Sequence, residues 1–263
     1  MGELTGKVAL VTGSSAGVGA ATVKKLAAKG ASVVVNYSKS RGPAEAVAAA
    51  CEKLGGKALL VQGNVAEDAD CRRLADETLQ AFGRIDYLVN NAGTTKFMAH
   101  RNLAGLSAED FHAIYAVNTI GPFQMARAAE SALRAARGAI VNVSSVAALH
   151  GSGSSIAYAA SKGALNTLTL SLARVFGPEV RVNTICPGFI EGEWLKNGMG
   201  EAAYEAARAN WRGNAVLGST NTPDDIADAI LMFLLHATNI TGQILEVDNG
   251  MHLAQPRPAP AKT

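Results

Sequence analysis

Residues 7–30 read KVALVTGSSAGVGAATVKKLAAKG, and this stretch decides the fold. Residues 7–11 form a short apolar, β-branched run, as a fully buried strand does. Thr12-Gly13-Ser14-Ser15-Ala16-Gly17-Val18-Gly19 follows, and residues 20–29 have helix character up to a stop at Gly30. Strand, glycine turn and helix in this order make a phosphate site. Positions without side chains let a pyrophosphate approach the backbone, and helix N-terminal amides meet its charge. A glycine pattern alone also fits a tight turn; its flanks favour nucleotide binding, with Gly13, Ser15, Gly17, Val18 and Gly19 lining the site.

Outward from there the pattern repeats. Strands are read at residues 32–36, 58–61, 85–89, 138–144, 180–185 and 243–247, and helices at 44–54, 69–82, 107–137, 156–176 and 223–235. Alternating β and α units imply a parallel sheet with helices on both faces, and ligands then sit at the carboxyl ends of the strands. The glycine turn, Asn90-Asn91-Ala92-Gly93, Ser145 and Pro187-Gly188 all follow such ends. The amides of Asn90 and Asn91 fit a role in holding strand ends together, and Gly93 a close passage of cofactor; a structural turn reads nearly as well. The 107–137 stretch breaks near Asn118, where a helix interior forfeits propensity, which fits either a purpose or a plain kink.

The second strand ends where a dinucleotide's adenosine ribose belongs. No acidic residue lies between Glu3 and Glu45, whereas Asn36-Tyr37-Ser38-Lys39-Ser40-Arg41 offers hydroxyls and two cations. That suits a 2′-phosphate and favours NADP(H) over NAD(H), although a solvated basic loop has the same composition.

The chemistry is read in residues 141–175, VNVSSVAALHGSGSSIAYAASKGALNTLTLSLARV. Tyr158 and Lys162 are four apart on a helix and stack on one face. A free phenol titrates near ~10, too high for proton transfer at neutral pH, and an ammonium one turn away pulls that value down. Ser145 ends a strand, and its hydroxyl is placed to bond an oxygen held before Tyr158. Taken alone, the pair is also what an ordinary helix surface presents. Residues 189–217 interrupt the alternation with Phe189, Trp194 and Trp211 among others. They read as a substrate lid or, alternatively, a subunit contact.

Composition bounds the rest. A chain of 263 residues, 48% hydrophobic, suffices for one large α/β domain spanning 1–254, with a loosely ordered Pro-rich tail at 255–263. A net charge of +2 with mixed signs gives no basic cluster for nucleic acid. Three scattered cysteines, Cys51, Cys71 and Cys186, read as buried thiols of a reducing, cytoplasmic compartment, and no cluster of ligands calls for a metal. The apolar start runs straight into the glycine motif, as a first strand and not a signal peptide, and no run is long enough to span a membrane.

Together these residues resemble the short-chain dehydrogenase/reductase family over roughly residues 5–250. The resemblance rests on Thr-Gly-x-x-x-Gly-x-Gly at 12–19, Asn-Asn-Ala-Gly at 90–93, Asn118, Ser145, Tyr158-x-x-x-Lys162 and Pro187-Gly188. It implies a single doubly wound Rossmann-type domain with seven parallel strands, and an enzyme interconverting a ketone and a secondary alcohol with NAD(P). Tyr158 would be the acid or base, Lys162 would lower its pKa and hold the nicotinamide ribose, and Ser145 would orient the carbonyl. Asn118 would carry a water linking Lys162 to solvent. Asn64, Val65, Asn91, Ala92, Gly93, Pro187, Gly188 and Ile190 would complete the cofactor site. A homo-oligomer, dimer or tetramer, is implied through the long helices. A 3-oxoacyl-thioester reductase is the leading specific reading, beside enzymes of sugars, steroids or small alcohols; a non-catalytic redox sensor is the rival class. Three positions depart from common family patterns: Gly192 replaces a frequent Thr, Ala16 a cation of many NADP users, and Asn64 a frequent Asp.

Overall fold

A computed structural model describes residues 2–254; the tail expected at 255–263 lies outside the described residues. In chain order the elements are β1 (Val8–Val11), α1 (Gly17–Ala28), β2 (Ser32–Tyr37), α2 (Arg41–Lys53), β3 (Lys57–Gln62), α3 (Asp68–Phe82) and β4 (Tyr87–Asn90). Then come α4 (Ala108–Tyr115), α5 (Gly121–Ala136), β5 (Ala139–Val143), α6 (Ala147–His150), α7 (Ile156–Phe176) and β6 (Arg181–Pro187). The chain closes with α8 (Glu193–Met199), α9 (Glu201–Asn214), α10 (Pro223–Leu231) and β7 (Ile244–Val247).

All seven strands are parallel, in the order β3-β2-β1-β4-β5-β6-β7. The order reverses between β1 and β4, which opens a crevice at their carboxyl ends. Side-chain alternation explains why helices cover both faces. Ala9, Val11, Val33, Val35, Val141 and Val143 point to one side, against α1, α2 and α10. Leu10, Val34, Leu88, Ile140 and Val182 point to the other, against α3, α5 and α7. The inner strands therefore bury both faces and read as continuous apolar runs, whereas the edge strands β3 and β7 keep exposed positions.

Local signals account for the boundaries. Ser107 and Asp110 form a reciprocal capping box at α4, and Thr222 and Asp225 form another at α10. The break expected near Asn118 is a single wide π turn, Ala116–Ile120, between α4 and α5. The segment after β6 folds as two helices, α8 and α9; Gly200, at φ +81°, turns the chain between them.

Candidate active site

The glycine turn after β1 is braced from both sides. Gly13 N–H donates to Asn36 Oδ1 at 2.9 Å, and Asn36 Nδ2 donates to Gly63 O at 3.1 Å. From β4, Asn91 Nδ2 donates to the Thr12 and Gly13 carbonyls at 2.9 and 3.0 Å, and Ala92 N donates to Thr12 Oγ1 at 3.1 Å. A Cβ on Gly13 would approach Ala92 Cα to 2.9 Å, so this packing needs glycine. Gly17, at φ +53°, has open space where a side chain would begin, and α1 starts with no side-chain cap on its amides. A backbone cradle of free amides with no Cβ in the way fits a pyrophosphate.

Burial corrects the sequence reading at the end of β2. Asn36 is 2% exposed and committed to the turn, and Tyr37 lies in the core at 6%, so both side chains are buried where the sequence reading had them open to a ligand. Ser38, Lys39 and Arg41 are exposed at the start of α2, whose first turn holds no acidic residue. Further along, Asn64 folds its Oδ1 back onto Ala66 N, and buried Val65 accepts from Gln124. Pro187 pairs with Val247 at the end of β6, Gly188 lies so close to Trp211 that a Cβ would clash, and Ile190 bridges to Asn221.

Ser155 caps α7 by accepting from Tyr158 N at 3.2 Å, which sets the helix phase and turns Tyr158 and Lys162 toward the end of β5. Lys162 is 3% exposed; its Nζ donates to Val143 O at 2.8 Å and lies 5.7 Å from the Tyr158 ring centroid. Ser145 Oγ accepts from Ala147 N at 3.1 Å and lies near enough to the Tyr158 phenol to pull its pKa down, whereas buried Ser144 donates to the Lys162 carbonyl. A Cβ on Gly93 would sit 3.6 Å from Asn118 Oδ1 and 3.7 Å from Lys162 Nζ, so the glycine keeps that space clear. Asn118, fully buried in the π turn, accepts from Thr94 N and donates to Thr94 O and Ser161 Oγ. Both amide hydrogens and one Oδ1 lone pair are thus taken, which leaves a single acceptor site on that side chain.

The expected acidification of the phenol is not what the protein alone produces. Part of the Tyr158 surface stays open, yet burial pushes its hydroxyl up to about 12, with the Ser145 hydrogen bond pulling back. Burial pulls Lys162 down to about 8. Both groups are held toward neutrality because no counter-charge reaches either.

Comparison with known proteins gives this geometry a setting. Residues 13–252 match a family model described as enoyl-(acyl carrier protein) reductase. A ketoacyl reductase of the granaticin polyketide synthase of Streptomyces violaceoruber is 43% identical, with 94% of this chain and 96% of that protein covered. A 3-oxoacyl-[acyl-carrier-protein] reductase of Synechocystis is 36% identical over 95% of this chain and 99% of its own. The crystal structure of a short-chain dehydrogenase/reductase from Burkholderia xenovorans superposes with a TM-score of 0.87 at 39% identity, covering 94% and 98% of the two chains. The chain belongs to the short-chain dehydrogenase/reductase family.

As a short-chain dehydrogenase/reductase it is an NAD(P)-dependent enzyme of a ketone and alcohol pair, and the redox-sensor reading falls away. The lid residues separate by role. Trp194 is 50% exposed, with its ring 6.2 Å from Tyr158 and 5.5 Å from Phe97. Phe189 is buried against Tyr204 and Trp211, and Trp211 donates Nε1 to Asp248 O at 3.3 Å. Of the three, Trp194 therefore faces Tyr158. Phe97 escaped sequence reasoning because it sits in a loop without periodicity. Met98 N donates to Ser154 O at 2.8 Å and anchors that loop beside α7.

Proposed function

We propose that this enzyme uses NADPH to reduce the ketone of a 3-oxoacyl thioester or a related substrate with a bulky apolar body. The observation that carries the reading is the Tyr158 phenol beside Ser145, with Lys162 behind it and the gap at Gly93 next to it. The relatives named for ketoacyl and 3-oxoacyl reduction support the substrate class. So does the aromatic wall of Trp194 and Phe97, which suits an apolar body better than a sugar.

The cradle at Gly13–Gly19 would hold the pyrophosphate, and exposed Lys39 and Arg41 would meet a 2′-phosphate. When bound, the nicotinamide supplies hydride to the carbonyl carbon. The chain's own residues do the rest. Ser145 holds the carbonyl oxygen, and Tyr158 gives it a proton as negative charge develops there. Lys162 anchors the ribose side of the gap at Gly93 and places a positive charge near the phenolate left behind. Its Nζ leaves Val143 to do so, a reach its flexible stem allows. Trp194 and Phe97 keep water from the reacting carbonyl.

Apolar side chains Ile120, Phe123, Leu170 and Val175 are exposed on and beside α5 and α7, which fits burial between copies in a homo-oligomer. Three free, buried thiols fit a cytoplasmic location. NADPH oxidation followed by absorbance, with acetoacetyl thioester and aryl ketones, tests the function. No turnover of any carbonyl by the wild type, with NADPH bound, would sink it.

A further inference from the structure

We propose that His150, Glu246, Asp248 and His252 form a binding site for a divalent transition-metal cation beside the end of β7. No spacing in the sequence announces such a cluster; the fold assembles it from separate segments. His150 ends α6, Glu246 lies in β7, Asp248 follows that strand, and His252 sits in the 3₁₀ turn Met251–Leu253.

Three of the four donors already cluster, and His150 joins them through Glu246. His150 Nε2 is 2.5 Å from Glu246 Oε1. His252 Nδ1 is 3.0 Å from both Asp248 oxygens and 3.7 Å from Glu246 Oε2. Donors from Glu246, Asp248 and His252 all lie within 4.8 Å of one another. Bonds of about 2.0–2.1 Å in a tetrahedral site separate its donors by roughly 3.3 Å, so Glu246, Asp248 and His252 need only small adjustments, and His150 completes the set by turning its ring inward.

Two further observations point to a cation. His150, Asp248 and His252 line a cavity of about 300 Å³ together with Val146, Ser152, Trp211 and Met251. The carboxylates there face imidazoles as their cationic partners, and Asp248 raises the His252 pKa. The Asp248 and Glu246 side chains are only 3% and 19% exposed, and among the described residues neither pairs with a lysine or arginine. Carboxylates taken from water require a positive partner, and the imidazoles supply one only when protonated. A bound cation supplies it at any pH that leaves them neutral.

The donor set also selects the ion. Two imidazoles with two carboxylates suit Zn²⁺, Ni²⁺ or Co²⁺, whereas Mg²⁺ and Ca²⁺ favour oxygen alone. Gly250 N and His252 N donate to the two Asp248 oxygens at 2.9 and 2.7 Å, which fixes that ligand's orientation and leaves lone pairs for a metal. The ion would tie α6, which follows Ser145, to the last strand and to Trp211 of α9. It touches none of the groups assigned to hydride or proton transfer, so its part is structural.

Untagged full-length protein, stripped with a chelator, would be titrated calorimetrically with ZnCl₂ and MgCl₂ and then melted. One Zn²⁺ per chain and a raised melting temperature are expected, with no comparable response to Mg²⁺. Glu246→Gln and the double variant His150→Ala/His252→Ala should each weaken Zn²⁺ binding roughly tenfold or more. Glu246→Gln keeps the side-chain shape and decides the matter should the double variant not fold. Absent Zn²⁺ binding, or binding that the variants leave unchanged, overturns the site; the four side chains are then a hydrogen-bonded clasp.

Discussion

Lys162 Nζ donates to the carbonyl of Val143 at 2.8 Å, not to the tyrosine one helical turn away. Burial without an anionic partner lowers its pKa from 10.5 to about 8. The unfolded chain holds that proton more tightly, so the cost of the buried ammonium is full below about pH 8 and fades as pH rises toward 10.5. Lys162→Met should therefore stabilise the cofactor-free protein at neutral pH, by on the order of 2 kcal/mol after loss of the Val143 hydrogen bond. The gain should shrink toward pH 10.5, which denaturant titrations at several pH values measure. Destabilisation at neutral pH would refute it.

Tyr158→Phe removes the proton donor and the Ser145 partner but keeps the ring against Trp194. Ketone reduction should fall by about 10²-fold or more, with NADPH affinity little changed. Fluorescence titration of NADPH beside steady-state rates separates the two effects.

With the phenol held up to about 12 in the free protein, it is protonated across the neutral range. The sign follows: kcat/KM for reduction should stay flat through the neutral range and fall as Lys162 loses its proton above about 8, whereas alcohol oxidation, which needs the phenolate, should rise from acid toward neutral pH. Rate profiles in both directions check this, and a reduction rate climbing with pH would contradict it.

Gly93→Ala tests the gap before Lys162. The new Cβ would meet Asn118 Oδ1 and Lys162 Nζ only at ordinary contact distances of 3.6 and 3.7 Å, so folding should be nearly unaffected. Filling the gap should weaken NADPH binding roughly tenfold, about 1.4 kcal/mol. Unchanged affinity would place the nicotinamide elsewhere.

The two tryptophans should answer differently to truncation. Trp194→Ala should raise KM for a bicyclic aryl ketone roughly tenfold while leaving a small aliphatic ketone alone, since its half-exposed ring faces Tyr158. Trp211→Ala, packed against Gly188 and bonded to Asp248, should instead cost about 2–4 kcal/mol of stability. Kinetics and melting of both variants give the comparison.

Sheet and helices were legible because the inner strands are buried on both faces and several helices carry local signals: glycine stops, capping boxes at Ser107 and Thr222, continuous Val and Ile runs. The four-residue spacing of Tyr158 and Lys162 likewise follows from helix geometry alone. Those features depend on neighbours in the chain, so the amino-acid sequence determined them by itself. Tertiary structure alone decided what distant segments do to one another. It buried Asn36 and Tyr37, turned Lys162 to Val143, set Phe97 against Trp194, and gathered His150 with Glu246 and His252. The physical reason is that burial and charge pairing are set by whichever segment lies across the gap, and periodicity carries no record of that partner.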